Sequence, residues 1–130
     1  MAGESTLPVE QYPDDFQILS FPFGHTLDGA NQTIPLFYAD RILVIDSIVF
    51  GVATVQAALT AQLQEATTPQ AASGTALHTA QSMATVGTYS VSPSTSANTI
   101  SAGNWVILKF SAATTAVHGC VTIRVRSRQK

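Results

Sequence analysis

Charge is what this sequence has least of. Only 11% of its 130 residues are charged, against roughly 25% in an ordinary soluble domain. Aromatics make up 8% and cysteine occurs once. A single cysteine, Cys120, excludes an intramolecular disulfide and suits a reducing interior. The opening "MAGESTLPVEQYPDDF" has neither a basic leader nor an apolar core, so no signal peptide is expected. The longest apolar run, around "ILVIDSIVFGVA", contains Asp46 and is too short and too polar to span a bilayer, so no membrane partner is expected. His25, His78 and His118 show none of the paired spacings that preorganise a metal site, and neither C-x-x-C nor G-x-S-x-G occurs. No metal or other cofactor is expected. Asp14-Asp15 sits among prolines and reads as a solvated pair rather than a glycosidase dyad. Cys120 lies two residues from His118, but it opens an alternating apolar strand and reads as a small strand residue. The chain is therefore expected not to be an enzyme.

What the sequence does have is 45% hydrophobic residues, with 18 Ala, 16 Thr and 12 Ser. Solubility rests on hydroxyls and amides rather than on charge, a surface that other protein can cover. The net charge of −2 offers no basic field to nucleic acid, so no nucleic-acid partner is expected. The charges are segregated. Seven of the eight acids lie in the first 46 residues, and four of the six bases lie in the last seven.

Residues 1–32 read as an extended N-terminal arm, because Pro8, Pro13 and Pro22 restrict the backbone and interrupt strand pairing. Within it "FQILSFPFG" offers Phe16, Phe21 and Phe23 as apolar contacts for a surface. Residues 33–130 read as one β domain, with strands over 34–38, 41–52, 88–92, 105–112 and 120–128. In the second of these, Ile42, Val44, Ile48 and Phe50 fall on one face around Asp46, and Leu43, Ile45, Ser47 and Val49 on the other. "ATVQAALTAQLQEAT" fits both a helix and a strand. The strand template leaves no polar residue on its apolar face from Val55 to Leu63, and strand is the reading taken. Residues 67–75 read as a loop, and "ALHTAQSMATVG" as either a short strand or a helical turn. Many strands, polar turns and no convincing amphipathic helix predict an all-β, jelly-roll-like antiparallel sandwich.

Two strands carry candidate binding residues. In "CVTIRVRSR", Arg124, Arg126 and Arg128 share one face, suited to carboxylates on a protein partner because guanidinium binds them bidentately. The competing reading is an edge strand guarded by charge. In "WVILKF", Val106, Leu108 and Phe110 take the core face. Trp105, Ile107 and Lys109 then face away and need a cover that a single core does not supply.

The stretch "NTISAGNWVILKFSAATTAVHGCVTIRVRSR" resembles the C-terminal half of small bacteriophage virion proteins with a jelly-roll-like β-sandwich. Their ending is a "T-I-x-A-G-D" turn, an apolar strand, a short loop and a last strand. Here Thr99, Ile100, Ala102, Gly103 and Asn104 match, with Asn104 where Asp is commoner. The resemblance spans roughly residues 34–128. It implies a capsid decoration (cement) protein that binds the major capsid protein on the outer surface of the head as a homotrimer, made in the host cytoplasm. A neighbouring subunit or the shell would cover Trp105 and Ile107. The alternative is a tail or fibre module that recognises a host glycan, for which exposed aromatics would be needed.

Overall fold

A computed structural model describes residues 16–24, 33–55, 59–111 and 117–127. Among these residues all regular structure is β, with no helix. The strands are β1 (Phe16–Phe23), β2 (Thr33–Tyr38), β3 (Leu43–Thr54), β4 (Thr60–Ala66), β5 (Thr75–Ala76), β6 (Gln81–Ser82), β7 (Gly87–Val91), β8 (Thr99–Ile100), β9 (Trp105–Phe110) and β10 (His118–Ser127).

They form two antiparallel sheets. The first runs β1-β10-β3-β7, with β8 also beside β3, and the second runs β2-β9-β4-β5, with β6 also beside β4. If β5 with β6 and β7 with β8 each count as one interrupted strand, each sheet has four positions. The chain then crosses between sheets at each of its first three connections, and the last strands return between the first ones. That winding is a jelly roll.

The core between the sheets is filled by alternate residues of the long strands. Val121, Ile123 and Val125 of β10 meet Ile45, Ile48, Phe50 and Val52 of β3, opposite Ala61 and Leu63 of β4 and Val106, Leu108 and Phe110 of β9. Of the strand read over residues 53–67, the second half forms β4, whose buried Ala61 and Leu63 lie on the face expected of them, whereas Ala53 and Thr54 end β3 and Val55 follows it exposed. The segment left open between strand and helical turn contains the short strand β6, and β5 straddles its start, with Thr75 in the stretch read as a loop.

Three expectations change. First, β3 does not alternate uniformly. Ser47 pairs with Arg124 but Ile45 pairs with Val125, so Asp46 is an extra residue, a β-bulge. The bulge moves Ile45 onto the core face occupied by Ile48 and Phe50, and Asp46 and Ser47 off it.

Second, Phe16–Phe23 is not arm but sandwich. All eight of its residues pair in unbroken register with β10, from Phe16 opposite Arg126 to Phe23 opposite Gly119. Phe23 is buried edge-on against Phe110, and Phe21 stacks on Phe37 of β2 at 5.6 Å, closing that side of the sandwich. Pro22 is accommodated because β1 is an edge strand. Of the expected arm, residues 1–15 and 25–32 lie outside the described residues.

Third, β10 is not an edge strand, since it lies between β1 and β3. Gly119 makes that position possible. A side chain there would run into the Gly51 carbonyl oxygen of β3 and approach the Phe23 ring from the other side.

Candidate functional site

The outer face of the first sheet carries the arginine row. Alternation along β10 puts Val121, Ile123 and Val125 inside, leaving Thr122, Arg124 and Arg126 outside. Each outer residue finds a different neighbour. Thr122 shares a 2.9 Å hydroxyl hydrogen bond with Ser20 of β1. The Arg124 guanidinium lies over the Phe16 ring, 3.6 Å from its centroid. Arg126 donates through Nε to the Asp46 carboxylate at 3.0 Å, so the bulge in β3 delivers that arginine's counter-ion. Arg124 has no carboxylate partner among the described residues and remains exposed. Beside it Ile18 is 67% and Phe16 50% exposed. Arg128 lies outside the described residues.

The opposite outer face is covered in part by the chain itself. Ile107 is fully buried, although it points away from the core formed by Val106, Leu108 and Phe110. The loop between β4 and β5 accounts for this. Thr33 of β2 donates through its hydroxyl to the Ala71 carbonyl at 3.0 Å, and the Gly74 amide donates to Gln64 Oε1 of β4 at 2.8 Å. A loop tied to both flanking strands crosses β9 between them. Ile107 is therefore buried within its own chain, where the sequence assigned its cover to a neighbour. Trp105, at the end of β9, is half-buried and packs edge-on against Tyr38 of β2 at 5.4 Å. Tyr38 is 52% exposed. Phe21 and Phe23 face the interior and are spoken for there.

The "TISAGN" turn is built for its sequence. Gly103 has φ +91° and the Asn104 amide donates to the Ser101 carbonyl, placing a positive φ at the third turn position, where glycine fits. Glu65 of β4 accepts two 2.8 Å bonds, one from the Ser101 amide and one from Asn104 Nδ2. Asn104 is therefore a donor, which an aspartate could not be. Asn104→Asp is expected to set two carboxylates together and to cost about 1–2 kcal/mol at neutral pH, relieved on acidification. Urea unfolding at two pH values measures this, and an unchanged midpoint would count against the assigned bond.

His78 is the one strongly buried imidazole among the described residues. The Leu63 amide of β4 donates to Nε2 at 2.9 Å, so Nδ1 carries the proton and donates to the Thr79 carbonyl at 2.6 Å. Burial lowers its pKa below the usual histidine range, offset in part by the Thr79 bond. The ring packs against Phe50, and Gln62 Nε2 donates to its carbonyl oxygen at 2.8 Å. With both nitrogens engaged, this is a structural histidine joining β4 to the segment after β5. Among the described residues no three His, Cys, Asp or Glu side chains gather as metal ligands.

No family model matches this sequence, and no curated protein matches it. One solved structure does share its shape. A chain of the cyanophage Pam1 capsid asymmetric unit superposes with a TM-score of 0.53, over 98% of this chain and 94% of that one. The fold occurs in a phage capsid. Identity is 13%, so the likeness concerns the fold. Sequence reasoning reached Arg124, Arg126 and Phe16, which the structure brings together, but missed Ile18, Tyr38 and the counter-ion Asp46. Ile18 carried a readable signal. It alternates with Leu19 and Phe21 in a run where only one face can be inside.

Proposed function

We propose that this protein is a structural component of a phage virion, a decoration protein that binds the major capsid protein on the outer surface of the head. It works as a homo-oligomer, the trimer that the family resemblance implies, is made in the host cytoplasm, and acts through buried area rather than catalysis. The observation that carries the reading is the asymmetry of the two outer faces. On one, Ile107 lies buried beneath the chain itself, while the other offers Ile18, Phe16 and Arg124, which has no carboxylate partner among the described residues, beside Ser20 and Thr122. The fold shared with a capsid chain of cyanophage Pam1 supports the setting. Several copies docking together gain far more than one, because linked contacts multiply.

A second reading, a tail or fibre module for a host glycan, is favoured by the exposed Tyr38 beside Trp105. Aromatic faces of this kind stack on apolar ligand surfaces. Mass spectrometry of purified particles with copy-number calibration tests both. Hundreds of copies per particle support decoration, tens or fewer support the tail or fibre reading, and absence from particles refutes both.

A further inference from the structure

A sheet edge presents a row of unpaired backbone donors and acceptors, and folded proteins blunt such edges with short strands, proline, bulges or charge. Among the described residues the sandwich has four edges, and three of them are short or interrupted. β2 carries Pro35 and a break in register between Pro35 and Phe37. β5, β6 and β8 are two residues long. β7 has five residues and presents Thr88 and Ser90 on its open face.

β1 is different. It runs for eight residues with no register break, carries no charged side chain, and has Pro22 only near its C-terminal end. It also holds Ile18, the most exposed large apolar side chain among the described residues, and Phe16.

We propose that β1 is the contact through which two copies of this chain pair edge to edge, antiparallel, joining their first sheets into one. The proposal rests on the homo-oligomer reading above and adds a two-fold contact to it. A second copy is the fitting occupant because "FQILSFPF" laid antiparallel on itself brings no like charges together. It also merges Phe16 and Ile18 of both copies into one apolar strip. Each Arg124 lies one strand inward, on β10, so the two guanidinium groups stay well separated across four strands, each spaced about 4.8 Å from the next. The contact is isologous and two-fold. It makes a dimer by itself, or links trimers to one another.

Two variants separate this edge from shell docking. Ile18 lies on the outer face, but Gln17 points to the other side of β1 and is exposed. A lysine on either side of an edge strand places like charges in the pairing and hinders it. Ile18→Lys and Gln17→Lys are each expected to weaken self-association roughly tenfold or more in analytical ultracentrifugation, with far-UV circular dichroism unchanged. Loss of shell binding in Ile18→Lys alone is expected, since Gln17 is off the docking face. A wild-type monomer at high micromolar concentration overturns the proposal, as does Gln17→Lys associating like wild type. If Gln17→Lys forms assemblies of the same size as wild type, three-fold ones included, the oligomer reading survives and this edge does not. Absence from particles sinks the decoration reading and leaves the edge measurement untouched.

Discussion

Replacing His78 by Ala lowers the unfolding free energy by about 3 kcal/mol, a large part of the roughly 5–15 kcal/mol that holds a domain folded. Two losses combine. The Leu63 amide, buried inside the sandwich, loses its acceptor at 2.9 Å, and an orphaned buried donor costs roughly 1–3 kcal/mol. The vacated ring volume against Phe50 adds a cavity. His78→Gln is the informative companion, because its side-chain carbonyl can reach the position of Nε2 and keep the Leu63 bond; it is expected to cost only about 1 kcal/mol. The pH dependence gives a second readout. The folded-state pKa of His78 lies below the unfolded value of about 6.5. The unfolded chain therefore takes up the proton first, and stability falls as pH drops below that value, until the folded pKa is reached. The slope approaches 1.4 kcal/mol per pH unit inside the window. Above about pH 7 this contribution is complete. Glutamine has no proton to gain, so the variant loses this part of the slope. Urea titrations between pH 7.5 and 5.5 compare them directly. Parallel pH profiles for wild type and His78→Gln would show that Nε2 is not held as an acceptor.

The sandwich was legible where alternation was strict and the core was reached from one side. β10, with Val121, Ile123 and Val125 set against Thr122, Arg124 and Arg126, reads from sequence as it folds. The turn at Gly103 does too. β3 was not legible in detail, because seven of the nine positions from Ile42 to Phe50 are apolar and a bulge leaves no gap in such a run. Only the three-residue step from Ile45 to Ile48, spanning Asp46 and Ser47, betrays it. β1 was misread for a different reason. Proline suggests an arm, yet an edge strand tolerates Pro22, and Leu19, Phe21 and Phe23 mark its inner face. The cover over Ile107 was invisible for a third reason. It depends on Thr33 meeting Ala71, a contact between segments 38 residues apart that no local pattern encodes.

Arg124→Gln is expected to weaken binding to the capsid shell on the order of a hundredfold while leaving the fold intact. The fold is spared because Arg124 is exposed and its stacking on Phe16 contributes about 0.5–1 kcal/mol at such a site. Binding suffers more. A guanidinium with no carboxylate of its own among the described residues, raised beside Ile18 and Phe16, suits a carboxylate on an apolar partner surface. Losing about 1 kcal/mol per subunit, summed over three copies that engage together, gives roughly that hundredfold. Arg126→Gln makes the contrast. Its partner Asp46 is on the same chain at 3.0 Å, in a half-buried pair, so that change is expected to cost about 1 kcal/mol of stability and to leave shell binding within a few-fold. Salt supplies the cross-check. Wild-type binding should fall as ionic strength rises, since screening reaches partly exposed pairs, and Arg124→Gln should respond less. Sedimentation of the protein with undecorated particles at low and high salt measures both. If Arg124→Gln binds as tightly as wild type under both conditions, the docking face is elsewhere, and Tyr38 with Trp105 becomes the surface to mutate next.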